Sequence, residues 1–292
     1  MNDAIITATI AYIQDLFRGN SGGHDAAHSL RVYRNALLIA EGEPGCDLET
    51  VALAALLHDA DDHKLFHTGN NAMDMMEAMR ARHSVRSYTA RPIEGETLEA
   101  LTKLIDECNR ESGLNIQLVR NEPMAFDSAM AHYGKFSGVK NYLALVGKKS
   151  PKLDELCGYY GEKLVLAAQA LGLNTCWVGL TFKKIPDAFR VESGEKLVLV
   201  ISVGYGTTQG AARKSKTASA VSRAENAPEW FAKGVEAALL APTAVNQQKF
   251  FLTLHGDKVS ARAGLGFFSK VDLGIVKYHF ELGSGRDASV WL

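Results

Sequence analysis

Arg82, Ser84 and Arg86 stand at alternate positions in the string RHSVRSY, residues 82–88. In an extended segment or a first helical turn, that spacing lets two guanidinium forks and a hydroxyl converge. Their natural partner is a dianionic phosphate, which arginine binds with planar, bidentate geometry. His83 lies within the same string as a further polar group. The competing reading of such a cluster is a solvated charge run. A second string, APTAVNQQ at 241–248, follows the apolar run WFAKGVEAALLA, whose periodicity predicts a helix that Pro242 ends. Thr243, Asn246 and Gln248 then fall on a loop entering the apolar segment FFLTL. Amides pair donors with acceptors, which suits the edge of a heteroaromatic ring such as a pyrimidine. A polar turn with an Asn cap is the alternative.

The elements that must position these strings fall into two unequal parts. Residues 1–71 read as helices: ATIAYIQDLF, HSLRVYRNALLIAEGE and DLETVALAALLHDADDHKLF, separated by RGNSGGHD and PGC. HTGNNAMD marks a boundary before a new helix, MDMMEAMRAR. From residue 72 to 292 the types mix. The strand candidates LNIQLVR, KNYLALVGK, EKLVLVISVGYG and KFFLTLHG alternate with the helix candidates TLEALTKLIDEC, YYGEKLVLAAQALGL and PEWFAKGVEAALLA. The expected fold class is α+β, with an all-helical N-terminal segment.

The chain of 292 residues is 47% hydrophobic and 22% charged, with a formal net charge of −1. That balance supplies no electrostatic reason to expect nucleic-acid or membrane partners. Cys46, Cys108, Cys157 and Cys176 show no C-x-x-C spacing and read as free thiols. The N-terminus is amphipathic and acidic, and no run approaches the ~20 apolar residues of a membrane span. A cytoplasmic location is expected.

An internal repeat emerges when the mixed region is laid against itself. SGLNIQ matches TAVNQQ, with Asn115 and Asn246, and Gln117 and Gln248, both 131 positions apart. The same offset carries Arg82 and Ser84 onto Arg213 and Ser215. Gly161 and Gly172 match Gly274 and Gly285 at an offset of 113, so a deletion separates the paired elements. Two degenerate halves are expected, at about 72–206 and 207–292.

Together the strings RHSVRSY and APTAVNQQ resemble the flavin mononucleotide (FMN) site of the nitroreductase family. The likeness is closest to single-chain, pseudo-dimeric members, over about residues 72–292. It implies that Arg82, His83, Ser84 and Arg86 hold the flavin phosphate, completed by Lys214 and Lys216 of RKSK. It further implies that Pro242, Thr243, Asn246 and Gln248 meet the flavin ring, and that amides around Gly179 in GLNTCWVGL approach the reducible nitrogen. His279 is a weaker candidate; a lone His on an apolar helix is otherwise a core residue. FMN with NADH or NADPH as transient donor, a small-molecule acceptor such as a nitroaromatic or quinone, and a monomer (pseudo-dimer) or homodimer are what the family implies. No catalytic side chain is required, because the cofactor carries the chemistry. The chain departs from the pattern in that Lys249 precedes the aromatic Phe250, SGLNIQ lacks the Ala-Pro start, and Thr217 replaces the last Arg in RKSKT. One intact site per chain is expected.

GHDAAHSLRVYRN followed by ALLHDADDHK resembles the opening of an HD-domain phosphohydrolase. That resemblance implies His28, His58 and Asp59 as ligands of a divalent metal, a donor set suited to transition metals. The family's last ligand is an aspartate on a later helix, absent here; Asp61, Asp62, His63 or His67 are the substitutes at hand. The segment is therefore expected to be a truncated remnant. Two alternatives to an FMN oxidoreductase stay open: an HD-type phosphohydrolase and a flavin-binding module without turnover.

Overall fold

The computed structural model describes residues 2–17, 25–60 and 72–292. The chain divides into two compact units, Met1–Asn71 and Ala72–Leu292.

The first unit contains helices α1 (Asp3–Leu16), α2 (Ala26–Ala40) and α3 (Leu48–Leu57). Each starts on a side-chain cap: Asn2 accepts from the Ala4 amide, Asp25 from that of His28, and Asp47 from that of Glu49. Ile6, Ala52 and Leu56 form its buried core, with Leu30, Tyr33 and Leu37 of α2 packed against them.

The second unit runs α4 (Ala72–Ala81), α5 (Gly95–Ser112), β1 (Asn115–Val119), α6 (Ala129–Tyr133), β2 (Tyr142–Lys148), α7 (Leu153–Ala170), β3 (Asn174–Val178) and β4 (Glu195–Gly204). It continues through α8 (Ala218–Val221), β5 (Ser222–Arg223), α9 (Glu229–Ala238), β6 (Phe250–His255), β7 (Lys258–Ala263) and α10 (Ser269–Ser284). Strands β1-β2-β4-β3 form an antiparallel sheet in that order. Tyr142 to Gly147 of β2 are all buried, as befits a central strand covered on both faces. A smaller sheet has the order β5-β6-β7. The unit is α+β.

Most of the expected elements form. The weakly alternating KVSARA of β7 was not expected as a strand, and its pairing with β6 across Gly256 and Asp257 makes a hairpin. This hairpin explains the changing repeat offset. Each half runs helix, strand, strand, helix, but residues 120–141 join β1 to β2 whereas two residues join β6 to β7. Gly172 and Gly285, matched in sequence, both follow the closing helix with positive φ, 76° and 65°. The match of SGLNIQ to TAVNQQ does not extend to conformation. Asn115 and Gln117 lie in β1, while Asn246 belongs to a 3₁₀ turn and Gln248 precedes β6.

Helices α7 and α10 cross at glycine. A Cβ on Gly158 would overlap the Val271 carbonyl, and one on Gly274 would overlap the Glu155 carbonyl and crowd the Tyr159 amide. Backbone meets backbone there, so no rotamer change relieves an added methyl. Gly158→Ala and Gly274→Ala are each expected to cost roughly 1–3 kcal/mol or more. Urea denaturation measures the loss, and wild-type stability in both variants would refute the close crossing.

Candidate functional site

Arg82 follows α4, and residues 82–88 run extended rather than helical. Ser84 bridges Thr175 of β3, the Val85 amide donates to the Thr175 carbonyl at 3.0 Å, and Tyr88 bridges Gly206. The string is thus clamped between β3 and the segment after β4. The alternate spacing of Arg82, Ser84 and Arg86 is the spacing of one side of an extended chain.

These residues line a cavity of about 550 Å3. Its wall includes Arg82, His83, Ser84 and Arg86, then Cys176 to Thr181 around the end of β3, and Pro242 to Asn246. Val271, Asp272 and Ile275 of α10 supply the remaining side, with Phe267 and Phe268 before them. Two strings far apart in sequence therefore meet in one concave site. Gly179 lines the wall, and a Cβ there would strike the ring of Phe268. Leu180, Val245 and Phe267 are exposed where they border the cavity.

Three of the expected residues lie elsewhere. Lys214, Lys216 and Gln248 are not in the cavity wall. Gln248 is 3% exposed; its amide donates to the Lys214 carbonyl at 3.0 Å and its Oε1 accepts from the Lys216 amide at 2.8 Å. The Lys216 ammonium donates to the carbonyls of Gln247 and Gln248. These groups bind the two segments to each other, so the side-chain donors of Lys216 and Gln248 are used within the protein, and Lys214 takes part through its carbonyl. Asn246 reaches the wall but also gives its Nδ2 to Lys214. His279 is fully buried and outside the wall, which is the core reading.

Arg213 takes the place in the cavity expected of the lysines. Its Nε and Nη2 are buried and unbonded among the described residues, as is Nε of Arg82. Burial, then the neighbouring Arg82, pushes the Arg213 guanidinium down to about 10, with Glu162 opposing, so it remains a cation at neutral pH. Burial also lowers Arg82, again against Glu162. A buried donor left without a partner costs roughly 1–3 kcal/mol unless a ligand satisfies it. The signal for Arg213 was present in its offset match to Arg82.

Behind the arginines lies a closed network. Glu162 of α7, wholly buried, accepts from Trp177 Nε1 at 3.0 Å, pairs with His279 Nε2 at 2.8 Å and lies 3.9 Å from Arg82 Nε. His279 Nδ1 faces the Ala237 carbonyl at 3.1 Å. Burial holds the Cys176 thiol well above its usual range, so it is neutral in the wall. All four cysteines are free.

A family model described as "Putative TM nitroreductase" matches residues 74–284. The chain belongs to this nitroreductase family. A "putative nitroreductase" from Thermotoga maritima has the same fold, at 22% identity and a TM-score of 0.52 over 73% of this chain and 85% of that one. An FMN-dependent nitroreductase from Clostridium difficile is 18% identical over 48% and 91% of the two chains, with a TM-score of 0.40. A Bacteroides fragilis nitroreductase with bound FMN is 22% identical over 49% and 93%, with a TM-score of 0.36. No curated protein matches. The nitroreductase family match leaves the first unit outside its bounds.

In that unit His28 Nε2 lies 3.2 Å from His58 Nε2 and 3.4 Å from Asp59 Oδ2, and His58 Nε2 lies 3.0 Å from Asp59 Oδ2. These three residues are the metal-competent cluster among the described residues. Asp61, Asp62, His63 and His67 fall outside the described residues.

The buried network behind the nitroreductase cavity can be tested by itself. Glu162→Ala removes the acceptor for Trp177 and His279 and the counter-charge for Arg82. An expected loss of about 3–5 kcal/mol follows from breaking a buried ionic network on one side. Chemical denaturation of the purified variant checks it, and a loss below about 1 kcal/mol would mean that Arg82 has its counter-charge elsewhere.

Proposed function

We propose that the protein is an FMN-dependent oxidoreductase that takes electrons from NADH or NADPH and passes them to a nitroaromatic, quinone or similar acceptor. The observation carrying this reading is that Arg82 and Arg213, each with a buried donor that has no partner among the described residues, both line an otherwise largely apolar cavity. Two fixed positive charges match a phosphate dianion, and the exposed Arg86 adds a third. The apolar remainder of the wall suits a flat aromatic body.

Arg82, Arg86, Arg213 and Ser84 would hold the phosphate. Pro242, Thr243 and Asn246 would border the ring from one side and Gly179 from the other. FMN, when bound, supplies hydride and electron transfer between donor and acceptor. The protein's part is to bind, orient and exclude water. Leu180, Val245 and Phe267 at the open side offer apolar contact to a planar reactant. A purified protein that retains FMN, and whose yellow colour bleaches with anaerobic NADH or NADPH, is the expected result. Retained FMN that neither donor bleaches would instead identify a binding module without turnover. Arg82→Ala and Arg213→Ala should each weaken FMN binding by roughly 1.5–3 kcal/mol, the scale of a lost charged hydrogen bond. Equilibrium dialysis gives the affinity; unchanged binding in both variants removes the phosphate assignment.

A second reading concerns the first unit, where the convergence of His28, His58 and Asp59 supports binding of a divalent transition metal. Two imidazoles and one carboxylate leave room for water or a further ligand. Isothermal titration with zinc should show binding in the wild type that His58→Ala and Asp59→Ala abolish. Equal zinc binding in all three proteins would count against this site.

A further inference from the structure

The loop from Pro242 to Gln248 carries unusual backbone strain for a cavity wall. Val245, Asn246 and Gln248 have φ of 44°, 55° and 45°. Positive φ is tolerable for Asn but costly for a β-branched valine, and Val245 has 97% of its surface exposed, so its own packing does not repay the cost. Something else must hold the loop. On one side Asn246 Nδ2 and Gln248 Nε2 grip the Lys214 carbonyl, a neutral anchor. On the other the anchor is ionisable. Asp272, in the first turn of α10 and 2% exposed, accepts from the Ala244 amide through Oδ1 at 2.9 Å. Its Oδ2 accepts from Gln247 Nε2 at 2.7 Å, and the same amide nitrogen donates to the Phe267 carbonyl at 2.8 Å. Both carboxylate oxygens are thus committed to one loop.

We propose that Asp272 is a proton-linked positioning residue. Its carboxylate fixes the strained loop in the conformation that borders the cavity, and protonation releases the loop. The carboxylate accepts strongly on both oxygens; protonation makes one of them a donor and a much poorer acceptor for the N–H it faces. The ionisable groups on the elements around it are Arg82, His83, Arg86, Cys176 and Arg213 across the cavity, Lys249 beyond the loop, and Glu155 and Tyr159 on α7. None pairs with Asp272 among the described residues, so burial governs its titration. Burial pushes the carboxyl up to about 6, against the two hydrogen bonds.

Two opposite pH trends follow. Because the folded carboxyl titrates above the unfolded value of 3.8, its contribution to global stability is full below that value and is lost as pH rises through about 6. Local order in the loop changes the other way: with the loop released and Asp272 still buried, the carboxyl loses both hydrogen bonds that lower it and titrates higher still, so forming the carboxylate favours the tethered loop. A residue that merely packed would move both together.

The test is amide hydrogen exchange of residues 243–248 in the ligand-free protein at about pH 5 and about pH 7.5, corrected for intrinsic exchange and measured beside global stability. In the wild type, loop protection should fall roughly tenfold at the lower pH, the factor of one pKa unit. In Asp272→Asn protection should be low and independent of pH. Gln247→Met, which leaves the carboxyl but removes one donor, should show a smaller pH response. Identical exchange in wild type and Asp272→Asn, or a pH response that survives the substitution, overturns the proposal. The link to cofactor binding rests on the flavin reading and has its own arm. FMN affinity should weaken more at the lower pH in the wild type than in Asp272→Asn, the part common to both reflecting protonation of the phosphate itself. If FMN binds at neither pH while the exchange result holds, the flavin reading fails and the tether stands. If the fall in FMN affinity is the same in wild type and Asp272→Asn, the tether does not govern binding.

Discussion

The close crossing of α7 and α10 is the constraint on which the second unit depends. With Gly158 and Gly274 at the contact, the two backbones approach nearer than any side chain would permit. From that approach come the placements of Val271, Asp272 and Ile275 along the cavity and of His279 beside Glu162. A wider crossing would pull α10 off the cavity and leave Glu162 without its partner. The aromatic groups around the crossing follow the same demand: Gly161 makes room for the Trp177 indole and Gly234 for the Phe280 ring.

The buried charges are arranged so that the arginines stay available. The Ala237 carbonyl can only accept, so His279 Nδ1 carries a proton. Its Nε2 lies 2.8 Å from Glu162 Oε1. His279 and Trp177 thus occupy the two oxygens of Glu162, while the guanidiniums of Arg82 and Arg213 line the cavity. Trp177 Nε1 satisfies the second carboxylate oxygen, which limits how far Glu162 can turn toward Arg82. The protein therefore keeps Glu162 at 3.9 Å from Arg82 Nε, beyond hydrogen-bond reach, and accepts orphaned donors in exchange for a charged cavity.

Much of this was legible in the residues. Alternation at Arg82, Ser84 and Arg86 already encoded an extended, one-sided array, and Pro242 marked the end of α9. What the strings could not reveal was which polar groups were spent internally. Gln248 and Lys216 carry the same chemistry as a ligand contact, and only the fold shows that they bind each other's segments. Asp272 was hidden for a different reason. An acid in a first helical turn is the ordinary complement of the helix dipole, so nothing in SKVDLG distinguished it from a surface residue. Strand β7 escaped because KVSARA alternates too weakly, and its partner β6 decides its conformation.

Duplication does not give this chain two equivalent sites, and the sheets explain why. In the first half, β2 is continued by β4 and then β3, whose end supplies Cys176 to Gly179. In the second half, β7 has beyond it a single bridge from Val259 to Trp291 among the described residues. A mirrored cavity would lack the wall that β3 provides. Its loop is lost as well. Asn115 Nδ2 is bonded to Glu195 and Gln117 is bonded to the Arg190 backbone, so the first-half amides serve sheet and loop packing. Meanwhile Arg213, the offset mate of Arg82, lines the same cavity as Arg82 itself. Both halves thus contribute their arginine to one site, and the loss of the second wall coincides with the doubling of charge at the first.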